Sequence, residues 1–169
     1  MKSMLLWTFA LLWTNQEIDH PQFKYWSGCK PESWVTMKME TDHGGVKISS
    51  ETTYKLLEVK ADGVFIEISG KAKVGAREIS LRAQKQEIKA KESTDKLRVE
   101  NEGDEEIEIA GKKLQCHWYE FTVKAGEETA KTKAWMSKEI PGGMAKTELL
   151  RVGIDNKPVT MTASEWEKK

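Results

Sequence analysis

The stretch Val46-Lys47-Ile48-Ser49-Ser50-Glu51-Thr52-Thr53-Tyr54-Lys55-Leu56 decides the fold. Val46, Ile48, Tyr54 and Leu56 hold one phase, with Ser50 and Thr52 between them. Lys47, Glu51 and Lys55 hold the other. A period of two sends one set to each side of an extended chain, whereas helical spacing would mix them on one surface. Working outward, Val35, Met37 and Met39 alternate with Thr36, Lys38 and Glu40. Val64, Ile66 and Ile68 do the same, as do Ile79, Leu81 and Ala83, then Ile107 and Ile109. Between the runs lie turn formers: His43-Gly44-Gly45, Ala61-Asp62-Gly63, Gly75, Ala110-Gly111, Ala125-Gly126, Pro141-Gly142-Gly143 and Asp155-Asn156. Short links of this kind join antiparallel neighbours. The expected fold class is therefore all-β, with at most one or two short helices. It is a single strongly curved antiparallel meander sheet of about eight to ten strands, a half-barrel or open barrel, because twist accumulates from strand to strand.

Two segments break the pattern. Ala83 to Glu92 is rich in helix formers but has no apolar stripe, so it reads either as a polar extension of the preceding strand or as an exposed helical turn. In Leu114 to Val123, Leu114, Cys116 and Trp118 hold one phase while Tyr119, Phe121 and Val123 hold the other. A β-bulge near Trp118 or burial on both faces accounts for the switch, and this strand is expected at the core of the sheet.

The chain of 169 residues fits one domain. Lys plus Arg and Asp plus Glu each number 27, leaving no net charge. With no basic excess or stripe to neutralise phosphates, nucleic acid is not an expected partner. Residues 1–14 hold one lysine, the apolar run Met4 to Trp13 and then polar Thr14. This is the outline of a short secretory signal, too short to span a bilayer. No transmembrane segment is expected. The expected mature domain is 15–169, periplasmic or secreted. The alternative is a first helix in a cytoplasmic protein.

Few residues offer chemistry. Cys29 and Cys116 are the only cysteines and stand in no Cys-x-x-Cys pattern. They read as two separate buried thiols, one disulfide or metal ligands. His20, His43 and His117 lack metal-binding spacing, and Cys116 and His117, adjacent on a strand, should face opposite ways. Paired carboxylates such as Glu105-Glu106 sit among lysines as a solvated face, and Pro141-Gly142-Gly143 reads as a turn because a strand follows it. No catalytic residue, metal site or cofactor is expected. The anomaly is tryptophan, seven in all, including Trp26, Trp34, Trp118, Trp135 and Trp166. Large aromatics fill the core of a small β domain or line an apolar cavity within a curled sheet.

Trp26-Ser27-Gly28-Cys29-Lys30-Pro31-Glu32-Ser33-Trp34-Val35 resembles the opening of a group of uncharacterised exported bacterial proteins. Ile109 to Cys116 resembles their later hairpin, and Trp135 to Lys146, with Pro141-Gly142-Gly143, their Trp…Pro-Gly-Gly strand pair. Glu32 stands where that opening carries glycine, a change that disfavours a tight turn. More loosely, the chain is similar to the half-barrel superfamily of lipoprotein-localisation carriers. That likeness implies a concave face holding acyl chains, although the helices that plug those carriers have no evident counterpart here. The expected function is a non-enzymatic binding module. It holds a lipid-like or other apolar small molecule, or an envelope protein's apolar segment, on its concave face. The expected lining is Met37, Met39, Tyr54, Leu56, Trp118 and Trp135. The alternatives are a pocketless envelope interaction protein and, last, an enzyme built from scattered residues.

Overall fold

The computed structural model describes residues 17–43, 45–93, 98–125, 128–151 and 159–169. The expected signal segment, 1–14, lies outside them. A short strand β1 (Glu17–Asp19) leads into the helix α1 (Pro21–Trp26). The strands β2 (Trp34–His43), β3 (Val46–Val59), β4 (Gly63–Val74) and β5 (Arg77–Lys89) follow, then the short β6 (Lys91–Ser93). The remainder is β7 (Arg98–Ile109), β8 (Lys112–Ala125), β9 (Glu128–Met136), β10 (Met144–Arg151) and β11 (Val159–Glu167).

The long strands form one nine-stranded antiparallel sheet in the order β5-β4-β3-β2-β11-β10-β9-β8-β7, and β1 pairs with β6 beside it. Strands consecutive in sequence pair within each half, with positive-φ glycines at Gly75 and Gly111 between two of the pairs; the expected turns at Gly44, Gly126 and Asp155-Asn156 lie outside the described residues. The meander is cut between β5 and β7, and the halves join where β2 meets the last strand, β11. β8 is thus one strand from an edge, not at the centre. The central strand is β11, whose position no local signal marks.

The helix-prone stretch after Ala83 belongs to β5. Pairing with β4 overrides its propensity, and Gln84, Gln86 and Ile88 oppose Ile68, Ile66 and Val64. No bulge interrupts β8 against β9. The irregularity lies on β7 at Glu100, and the phase switch in β8 reflects cover on both faces: Leu114 and Cys116 are buried, Trp118, Tyr119 and Phe121 half-buried.

The sheet curls without closing into a barrel. β7 touches β11, four places away in the strand order, and Lys112 Nζ lies 4.8 Å over the Trp166 ring. Val35, Met37, Leu56, Val64, Ile66, Ile88 and Ala163 are buried on its inner face. α1 lies on that face too, held at one end by the β1–β6 ladder and the bond from His20 N–H to the Ala90 carbonyl. No signal in the sequence marks this helix. Six residues carry no readable helical period, and α1 forms because Pro21 presets its first turn and Trp26 has a place to be buried.

Cys29 and Cys116 are separate buried thiols. A tight turn forms at Glu32, which adopts φ 71° while its N–H donates to the Leu56 carbonyl.

Candidate functional site

Cross-strand register assigns each side chain to a face, because opposed residues share one. Met39, Met161, Thr147, Ala134, Tyr119 and Glu102 oppose one another in turn across β2, β11, β10, β9, β8 and β7 on the inner face. Trp118, Trp135, Lys146, Thr162, Lys38, Glu51, Lys71 and Ser80 form the matching row on the outer face. The six expected lining residues are thereby divided. Met37, Met39, Tyr54 and Leu56 face inward; Trp118 and Trp135 face outward.

Trp135, 5% exposed, nonetheless belongs to the buried apolar cluster with Leu114, Cys116 and Ile109, and Trp118 packs against it; lysines complete the cover. Lys133 Nζ sits 4.2 Å over the ring of Trp118 and 4.7 Å over that of Trp135, and Lys146 Nζ 4.7 Å over Trp135. The ammonium groups lie on the indole faces, and Lys146 Nζ also pairs with Glu148 Oε1 at 2.6 Å. Trp135 Nε1–H donates to Glu105 Oε2 at 2.9 Å. Alternation within each strand carries no register relative to β2, which lies three strands from Trp135.

Between α1 and the inner face is a cavity of about 250 Å³, lined by Gln22, Trp26, Val35, Met37, Tyr54, Ile66, Ile68, Gln86, Ile88, Pro141, Gly142 and Met144. Of the expected residues, Met37 and Tyr54 line it and Leu56 is wholly buried in the same core cluster. Met39 instead borders a shallow charged depression with Lys38, Glu51 and Lys71. Val35, Ile66 and Ile68 were legible as alternating apolar positions, but the contributions of α1 and the Pro141 turn were not. A larger groove of about 540 Å³ over β7–β10 is walled by Glu100, Glu120, Lys131, Lys133 and Glu148, which makes it a charged surface feature. Burial raises the Tyr54 phenol above its usual range, so it remains a neutral donor at the cavity wall.

The turn from β9 to β10 closes the cavity. Ile140, Pro141, Gly142 and Gly143 are buried, and both glycines have positive φ, 70° and 79°. A Cβ on Gly142 would lie under 3.0 Å from the Trp26 indole, and one on Gly143 under 3.0 Å from the Tyr25 ring. The sequence marks this as a turn; its further role is to let two aromatics of α1 lie flat on the backbone.

On β8, His117 Nδ1 is 2.8 Å from Asp104 Oδ1, and Nε2 is 3.4 Å from Glu102 Oε2. The bond to Asp104, the larger influence, raises the imidazole pKa, and Glu102 adds to it. Tyr119 meets the ring edge-on at 4.6 Å. Cys116, opposite Glu105, points to the other face, and burial pushes its thiol up to about 11. Among the described residues no group of three or more His, Cys, Asp or Glu is arranged to hold a metal ion, and no helix is long and apolar enough to cross a membrane.

No protein-family model and no curated protein sequence matches the chain. A solved structure from Bacteroides fragilis, described as a putative exported protein with YmcC-like fold, superposes with a TM-score of 0.51 at 8% identity, covering 83% of this chain and 97% of that one. The likeness is one of fold. It supports the curved, open, antiparallel architecture and assigns no residue a role.

Proposed function

We propose that this protein is an exported, non-enzymatic binding module that takes one short alkyl chain or comparable apolar group between α1 and the inner face of the sheet. The observation that carries this reading is the cavity of about 250 Å³, whose walls are mostly Trp, Val, Met, Ile and Tyr side chains. Dry apolar cavities of roughly 150 Å³ already hold benzene. Full drug-sized pockets begin near 300 Å³, so the occupant is one chain or ring, not a whole lipid. Gln22 and Gln86 supply amides at the wall, so the preferred ligand is an amphiphile with a hydrogen-bonding head. Each buried methylene contributes about 0.8 kcal/mol before the cost of association. Export is supported by the sequence of residues 1–14 and by the fold likeness to a protein described as exported. The non-enzymatic reading is supported by the site's chemistry: the His117 cluster lines no part of the cavity.

The test is titration with a polyene fatty acid whose fluorescence rises on leaving water. Wild type and Trp118→Ala should both bind saturably, because Trp118 is on the outer face. Ile68→Trp, which fills a half-buried cavity position, should lose binding while unfolding at an unchanged temperature. Absence of saturable binding by the wild type, or full binding by a folded Ile68→Trp protein, overturns the proposal.

A further inference from the structure

β5 is an edge of the sheet and, among the described residues, pairs along its length with β4 alone. Exposed edges are normally guarded by charge, twist or cover, since their free N–H and C=O groups invite another strand. Here the guard is incomplete. Ile79 and Leu81 are 52% and 45% exposed, and they share the inner-face phase with Val74, 41% exposed on β4, and Val46, 44% exposed on β3. This apolar patch lies at the end of the strands away from the α1 cavity, whose β5 residues are Gln86 and Ile88.

The order of residues along the edge says what fits it. From Arg77 the strand reads Arg77-Glu78-Ile79-Ser80-Leu81-Arg82-Ala83. Laid antiparallel on itself with Ser80 opposite Ser80, it places each Ile79 against Leu81 of the second copy and each Glu78 against Arg82. Opposed residues share a face, so the four apolar side chains gather on the inner face and the two ion pairs on the outer. Moving the centre by one residue, to Leu81, sets Arg77 against Lys85 and separates Glu78 from Arg82. Glu78 is 3.3 Å from Lys73 Nζ within its own sheet, whereas Arg82 makes no ion pair among the described residues and is available to the second copy. The β5 irregularity at Arg82–Ala83, where two residues oppose Ser69 alone, ends the regular edge and limits the ladder to this segment.

We infer that the partner of this edge is a second copy of the same chain. The two β5 strands join about a two-fold axis at Ser80, making one continuous sheet from two nine-stranded ones. Such an isologous contact uses one patch twice and closes at the dimer.

The experiment is sedimentation equilibrium of the full chain over a concentration series, with Glu78→Arg, Arg82→Glu and the double charge swap. The wild type should show a monomer–dimer equilibrium. Each single reversal creates two like-charge pairs by symmetry and should weaken the dimer about tenfold or more, and the double swap should restore it to within about threefold. Thermal unfolding of each variant establishes that it is folded, and either single variant suffices if the other is not. A wild type that stays monomeric, a dimer indifferent to both reversals, or a double swap that fails to rescue overturns the inference. In the second case the dimer uses another surface, such as the β7 edge. None of these outcomes bears on fatty-acid binding, which is measured at the opposite end of the strands.

Discussion

Gly142→Ala tests the claim that α1 is clamped to the sheet by backbone contact. Two costs combine. The residue holds φ 70°, where a Cβ costs about 1–2 kcal/mol. That Cβ would also fall under 3.0 Å from Cε2, Nε1 and Cζ2 of Trp26, which is itself 3% exposed and has little room to withdraw. Overpacking of this sort costs about 1–3 kcal/mol. The sum, about 2–5 kcal/mol, is a large part of the roughly 5–15 kcal/mol that hold a domain together. Gly75→Ala supplies the control: φ is 58° and nothing lies within 4 Å of the built Cβ, so only the backbone cost should appear. Urea unfolding followed by tryptophan fluorescence gives both values. Repeating Gly142→Ala in a Trp26→Leu background should reduce its cost toward that of Gly75→Ala, with a coupling of about 1–3 kcal/mol. If Gly142→Ala costs no more than Gly75→Ala in the wild-type background, the clamp is refuted, and with it the account of how the cavity is closed.

Four further outcomes are expected. Glu32→Gly should be more stable by about 0.5–1 kcal/mol, because it relieves a left-handed residue at φ 71° at the cost of glycine's extra freedom when unfolded and of the exposed contact with Lys55; destabilisation would contradict this. Thr147→Val should gain up to about 1 kcal/mol, since Thr147 Oγ1 is buried with no hydrogen-bond partner among the described residues and valine keeps its shape. His117 has its folded pKa raised above 6.5, so its pairing with Asp104 and Glu102 stabilises the fold fully below the unfolded value and is lost as pH rises through the folded one. Wild type should therefore lose more melting temperature than His117→Asn between about pH 5.5 and 9, and parallel profiles would refute the pairing. Both thiols are buried, with Cys116 raised to about 11, so Ellman's reagent near pH 8 should react slowly with native protein and with both thiols on denaturation. Immediate stoichiometric labelling would contradict their burial.

The fold was legible wherever structure is set by neighbours in sequence. Val46 to Leu56 alternates because one face of β3 is the inner face, and Gly63, Gly75 and Gly111 mark hairpin turns. What escaped was set by distant parts of the chain. β11 pairs with β2 across more than a hundred residues, and nothing in Val159 to Glu167 names that partner. α1 is similarly hidden: Phe23, Tyr25 and Trp26 look like a loop with aromatics until the Pro141 turn gives them a surface.

The outward placement of Trp118 and Trp135 has the same cause. On β8 and β9, Trp118 opposes Trp135, and a large aromatic pair normally signals a core. Yet the chain of register that carries Met39 to Tyr119 on the inner face carries Lys38 to Trp118 on the outer. The sequence of β9, Lys131-Thr132-Lys133-Ala134-Trp135, already puts Trp135 in phase with two lysines and against Thr132 and Ala134. Thr132 and Ala134 are buried on the inner side, while on the outer side the ammonium groups of Lys133 and Lys146 lie over the indoles. The inner face is therefore distinguished by its small residues as much as by its large ones. Replacing Ala134 with leucine should disturb the inner packing more than replacing Lys133 with leucine, although both add apolar volume to the same strand. Urea midpoints decide it: Ala134→Leu should lose about 1–3 kcal/mol by overpacking, while Lys133→Leu, which keeps an alkyl cover over Trp118, should lose less than 1. The reverse order would mean that the faces have been assigned the wrong way round.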